Sequence, residues 1–195
     1  MNKYIGFLFD GVKQKKVYFV WLVLLTAVAI VLAVFAGLNK SGDIDLSNIV
    51  YIRFLQGSAG LGSFIFGMLF GLLISFFSIL VCSCKPFLIW LSFLFYTYLI
   101  YTHAVVFVCI ILVFGFFNCI IVELLLLVYI LGLSVLFMLA MVEMKIVADD
   151  CNYFSACFNI RKCNVLFFLV AIVLFTLAFC IILTTLRSFV VLLVY

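Results

Sequence analysis

The residues best suited to chemistry in this chain sit inside apolar sequence. His103 is the single histidine, and Tyr96, Thr97, Tyr98, Tyr101 and Thr102 crowd around it. Thr97 and Tyr101 are four apart, as are Tyr98 and Thr102, and Tyr96 and His103 are seven apart. On a helix each of those pairs falls on one side. Glu123 is the one formal charge between Pro86 and Val142. Polar groups in hydrocarbon need partners, and a carboxylate there is costly and often functional. Two readings of the Tyr96–His103 belt follow: hydrogen-bond glue between helices, or a polar pocket or pathway. Glu123 either snorkels to the interface or is buried, and a buried Glu123 would pair with His103 across a hairpin.

Familiar catalytic constellations are missing from the sequence. One histidine excludes HExxH-type zinc chemistry. No pair of aspartates falls in a span, and no serine has both a base and an orienting acid. Gly57, Gly60 and Gly62 follow no strand and complete no phosphate-binding fingerprint. Cysteines stand at 82, 84, 109, 119, 151, 157, 163 and 180, with no CxxC pair. They read as small apolar fillers and reduced thiols. Cys82-Ser83-Cys84 is the one place where metal ligation or palmitoylation would fit. The expectation is a non-enzymatic protein with no cofactor.

What must position these residues is a membrane bundle. The chain of 195 residues is 71% hydrophobic and 9% charged, with a mean hydropathy of +1.55. Soluble domains run near 45–50% apolar and about 25% charged. Period-2 alternation is absent, which argues against a β-barrel. The net charge of +4 lies mostly beside apolar runs and reads as topology information, not as a nucleic-acid surface.

Pro86 to Val122 carries no formal charge over 37 residues. As one helix it would be about 55 Å long, against a hydrocarbon core of about 30 Å. It must cross, turn and return, and Gly115-Phe116-Phe117-Asn118 is the best turn. The predicted fold is all-α, a single polytopic membrane domain with spans at 17–38, 61–81, 87–113, 119–142 and 164–186. Residues 39–60 form a polar loop, with turn chemistry at Ser41-Gly42-Asp43 and a short helix over 48–56 capped by Ser47. Ile49, Ile52 and Leu55 give that helix an interfacial stripe. Residues 143–163 read as an amphipathic interfacial helix. Arg187 and Ser188 end the last span.

The second span holds the most regular motif. Ala59, Ser63, Gly67, Gly71 and Ser75 recur every four residues, giving one small-residue ridge along a helix. Such ridges let helix backbones approach closely. The ridge serves packing within the bundle or an intermolecular seam, the latter including a homo-oligomer.

Basic residues orient the bundle. With the N-terminus inside, Lys3, Lys13, Lys15, Lys16, Lys85, Lys145, Arg161 and Lys162 lie inside, while Lys40, Arg53 and Arg187 lie outside. Eight against three predicts a cell-membrane protein with its N-terminus cytoplasmic and its C-terminus extracytoplasmic.

The layout resembles the stage II sporulation protein M family. The similarity runs from Phe54 to about Leu133, through Phe54-Leu55-Gln56-Gly57, Leu61-Gly62-Ser63-Phe64-Ile65-Phe66, Tyr96-Thr97-Tyr98-Leu99 and Phe114-Gly115-Phe116. The family usually shows glycines in the third span where this chain has Thr97 and Ile100 to His103, and proline where it has Val122-Glu123. The resemblance implies a non-enzymatic membrane scaffold that anchors peptidoglycan-degrading partners, as the family does during engulfment in sporulating bacteria. It would meet extracytoplasmic partners through residues 39–60 and a partner's span at Gly67 and Gly71. The competing reading is a small-solute transporter, or the permease subunit of an ABC-type transporter, using the Tyr96–His103 belt and Glu123 as its path.

Overall fold

The computed structural model describes residues 16–39, 50–83, 89–115, 120–150 and 162–194. Among them the chain forms α1 (Lys16–Asn39), α2 (Val50–Leu55), α3 (Leu61–Ser83), α4 (Ile89–Phe114), α5 (Ile120–Asp150) and α6 (Lys162–Val194). All but the six-residue α2 are long and apolar enough to cross a membrane. No strand occurs among the described residues. The protein is a multi-pass membrane helical bundle.

The helices run unbroken because nothing inside them interrupts the hydrogen-bond ladder. The only proline, Pro86, lies between α3 and α4. Several serine and threonine hydroxyls inside the helices are satisfied locally. Thr26 donates to the Leu22 carbonyl at 2.9 Å, Ser75 to Gly71 at 2.9 Å and Thr97 to Phe93 at 2.8 Å. Back-bonding of this kind lets a hydroxyl sit in hydrocarbon without a partner helix.

Glycines close two helix ends. Gly57, at φ 84°, follows α2. Its amide donates to Phe54 at 3.1 Å, and the Ser58 amide donates to Arg53 at 2.9 Å. This is the Schellman pattern, which requires a left-handed residue that glycine adopts without steric penalty. Gly115, at φ 79°, ends α4 by donating to Ile111 at 2.9 Å. The turn expected at Gly115–Asn118 therefore begins with a left-handed cap, and 116–119 lie outside the described residues.

Packing is built around α5. Of its span, 56% of the residues are buried, against 22–33% in the other four. It contacts α1, α3, α4 and α6, while α1 rests mainly on α4. Phe76 of α3 meets Phe137 of α5 edge-on at 6.1 Å. Tyr129 of α5 stacks on Phe179 of α6 at 4.0 Å. Large apolar side chains face outward, among them Trp21, Phe35, Phe66, Phe70 and Trp90. In water that surface would be heavily destabilising, whereas in lipid it has no such cost.

Three elements differ from their sequence reading. Residues 143–150 continue α5 instead of starting a separate interfacial helix, since no Gly or Pro separates them from the span. The rest of that segment, 151–161, lies outside the described residues. α6 continues through Arg187 to Val194, because Arg187 and Ser188 are compatible with helix. The short helix over 48–56 is observed as Val50–Leu55, and it is not a surface helix. Tyr51, Ile52, Phe54 and Leu55 are all buried, and Arg53 is exposed. The turn at Ser41–Asp43, the Ser47 cap and the segment before Lys16 lie outside the described residues.

Candidate functional site

The cleft between α3 and α4 brings together residues from both sequence candidates. It encloses about 430 Å³ and is lined by Gly67, Gly71 and Ser75 of α3, by Tyr98, Thr102 and His103 of α4, and by Tyr51 of α2. The volume falls in the range of small-molecule sites. Its floor includes the apolar Met68, Leu72 and Leu99. Its rim is open, since Gly67 and Gly71 are exposed and Tyr98 is 66% exposed. No formally charged residue lines it.

Gly67 and Gly71 of the ridge are exposed, whereas Ala59 packs against the core. A Cβ placed on Gly71 or Gly62 would meet nothing within 4 Å. Two other glycines permit close helix contact. At Gly37 of α1 an added Cβ would strike Val108 of α4, and at Gly132 of α5 it would strike Phe175 of α6. Ala59 and Ser63, the remaining ridge positions, do not line the cleft.

The Tyr96–His103 belt is split over several faces. Tyr96 is fully buried, and its hydroxyl lies 2.6 Å from that of Thr26 in α1. Ser134 of α5 lies beside the same hydroxyl. Tyr96 is thus interhelical glue. Tyr101 lines a second, shallower surface groove with Leu32 and Phe35 of α1. Tyr98 borders both grooves.

His103 lines the α3–α4 cleft, and its Nδ1 lies 2.8 Å from the Leu99 carbonyl. A carbonyl only accepts, so Nδ1 carries the proton. In the neutral ring Nε2 then keeps a free lone pair, and it has no hydrogen-bond partner among the described residues. The imidazole lies 5.9 Å from the ring of Tyr129. Tyr129 in turn reaches Thr176 of α6 at 3.3 Å.

Glu123 and His103 are not brought together. Glu123, in the first turn of α5, is 2% exposed, and neither carboxylate oxygen has a hydrogen-bond partner. It does not line the cleft. The expectation that it snorkels and the expectation that it pairs with His103 are both corrected: it is buried and unpaired.

Sequence reasoning missed Tyr51 and Tyr129. Tyr51 packs edge-on to Phe64 at 5.2 Å and is 6% exposed, with no hydrogen-bond partner for its hydroxyl. Burial pushes the Tyr51 phenol well above its ordinary value, helped by the nearby Tyr129 and Cys180, so it stays a donor. The one available signal was that α2 is apolar on more than its Ile49–Ile52–Leu55 stripe.

Among the described residues no group of His, Cys, Asp and Glu is arranged to hold a metal. Cys109 and Cys180 are buried free thiols. No family model matches the chain, and neither a curated protein nor a solved structure shows significant similarity to it.

Proposed function

We propose that the chain is a non-enzymatic integral membrane scaffold, in the manner of the stage II sporulation protein M family it resembles, that recruits cell-envelope partners. The observation that carries this reading is the clamp on α2. Phe54 stacks on Phe64 of α3 at 4.3 Å with an interplanar angle of 9°, and the Arg187 guanidinium of α6 lies 4.9 Å above the Phe54 ring. α2 is thereby pinned to two spans, with Arg53 exposed on it. A pinned surface binds a partner with less ordering cost than a free loop. In this reading the α2 end is extracytoplasmic and the N-terminus cytoplasmic, in line with the distribution of Lys and Arg.

Photocrosslinking from position 53 in intact cells tests it. A peptidoglycan hydrolase or another extracytoplasmic envelope protein in the adduct supports the scaffold. Adducts with lipid alone, or labelling only from the cytoplasmic side, overturn it.

A second reading, a small-solute transporter or permease subunit, is favoured by the α3–α4 cleft. Glu123 lies outside that cleft, so the informative variant is His103→Leu. Flux into proteoliposomes that His103→Leu abolishes, or co-purification of a soluble nucleotide-binding subunit, would establish it.

A further inference from the structure

Two arginines stand around the Gly57 cap at one end of the bundle. Arg187 of α6 reaches over the Phe54 ring at 4.9 Å, and its Nη2 lies 2.9 Å from where a Gly57 Cβ would be. Arg53 is exposed one helical turn before Gly57, and its carbonyl accepts the Ser58 and Ala59 amides at 2.9 and 3.1 Å. Among the described residues neither guanidinium has an ion pair or a hydrogen-bond acceptor. Glu123 belongs to the same end, in the first turn of α5, but its oxygens bond to nothing. The cation–π contact places the Arg187 group without supplying an acceptor for any of its five N–H donors.

Depth decides what can reach these donors. The apolar length of α6 that ends at Arg187 is 22 residues, which is about 33 Å of helix, against a hydrocarbon core of about 30 Å. Arg187 therefore falls at the level of lipid headgroups. One to two turns below it, α6 presents the exposed Ile181 and Ile182.

We propose that Arg187 and Arg53 hold the phosphate of an anionic membrane phospholipid, whose acyl chains run down the outer face of α6 past Ile181 and Ile182. Phosphate oxygens match the guanidinium fork and can accept two of its bonds at once. Two positive charges with no carboxylate bonded to them favour an anionic headgroup over a zwitterionic one. A lipid held this way ties α2 to α6 from outside, beside the tie that Phe54 makes from within. The inference needs no partner protein and does not depend on the scaffold reading.

The test uses the full chain in mixed micelles at sub-saturating probe. The probes are a photoreactive phosphatidylglycerol and a phosphatidylcholine with the same diazirine-bearing acyl chain, and adducts are mapped by mass spectrometry. Phosphatidylglycerol is expected to label α2 and the Arg187 end of α6 about tenfold more than phosphatidylcholine. Arg187→Gln and Arg53→Gln should each lower that labelling about fivefold, the share of one cation near an anionic headgroup. Arg187→Lys keeps the charge but loses the planar fork, so labelling should fall by about half or more. Lys16→Gln removes a charge at the opposite end, where Tyr18 of α1 packs on Phe93 near the start of α4, and leaves labelling unchanged. Excess unlabelled phosphatidylglycerol displaces the probe, and inorganic phosphate does not. Equal labelling by the two lipids, indifference to the arginine variants, wild-type labelling in Arg187→Lys, an equal loss in Lys16→Gln, or displacement by inorganic phosphate overturns the proposal. Should Arg187→Gln fail to fold, Arg53→Gln carries the test, since its side chain is exposed, and unchanged labelling there also overturns the proposal.

Discussion

The hydroxyls of Thr26 and Tyr96 lie 2.6 Å apart across the contact between α1 and α4, although 70 residues separate them in the chain. Thr26 already donates to its own Leu22 carbonyl, so Tyr96 is the donor in the pair. This bond and the close approach at Gly37 hold α1 to α4 at two levels. They add to the packing of Tyr18 on Phe93 at 5.0 Å and to the buried Leu22, Ala29 and Ala33.

Removing the Tyr96 hydroxyl tests that tie. Tyr96→Phe keeps the ring volume and loses the bond, with an expected cost of about 0.6–2 kcal/mol in unfolding free energy. Thr26→Val is expected to cost a similar amount. In a double-mutant cycle the two effects should be less than additive, since both delete one interaction. Additive effects would show that the two hydroxyls do not bond.

Glu123 leads to the opposite sign. Its carboxyl is buried with no hydrogen-bond partner, so the folded bundle carries an unsatisfied group. The N-terminal end of α5 offsets that by only about 0.3–1 kcal/mol through its dipole. Glu123→Met preserves much of the volume and removes the polar atoms. It should raise unfolding free energy by about 1 kcal/mol or more. A clear loss of stability in Glu123→Met would mean that the carboxyl has a partner in the native membrane.

The clamp on α2 makes a third prediction. Gly57 combines a left-handed backbone with the Arg187 Nη2 only 2.9 Å from where a Cβ would sit. Gly57→Ala should therefore cost about 1–2 kcal/mol from backbone strain and displace Arg187 from the Phe54 face. The readout is proteolysis of the α1–α3 connection in proteoliposomes, which should become several-fold faster than in wild type. Arg187→Ala should accelerate it as well, through loss of the guanidinium over Phe54. Unchanged cleavage in both variants would mean that α2 does not hold this segment.

The spans were legible in the sequence because hydrocarbon selects on length and apolarity, and both are local properties. A chain reversal beginning at Gly115 was legible for the same reason, though the left-handed cap that ends α4 there was not. Side-chain partners were not. Spacing placed Tyr96 and His103 on one side of a helix, but it carried no information on the helices that surround it. Tyr96 turned out to face α1, while His103 lines the cleft beside α3. Glu123 and His103 looked like natural partners only because they are the two most ionisable groups in the run. Tyr51 and Tyr129 escaped notice because a tyrosine adds little to any hydropathy pattern, and its role depends on what the tertiary fold places at its hydroxyl.

Glycine shows most clearly how spacing and packing part company. The regular ridge suggested close helix contact, yet at Gly71 the structure has open space, while Gly37 and Gly132, which belong to no motif, are tight. A Cβ at Gly37 would meet Val108 at both Cγ1 and Cβ, close to the α4 backbone, so the helices themselves must separate. At Gly132 it would meet the far edge of the Phe175 ring, which can move only by disturbing the stack with Tyr129. Gly37→Ala and Gly132→Ala are each expected to destabilise by about 1–3 kcal/mol, the usual cost of overpacking. Gly71→Ala and Gly62→Ala meet open space and should be neutral, or stabilising by up to about 1 kcal/mol through helix propensity. Unfolding of the four variants in mixed micelles ranks them directly. If Gly71→Ala proves as damaging as Gly132→Ala, the α3 ridge is packed against something in the membrane, and the open cleft described above is closed in the functional state.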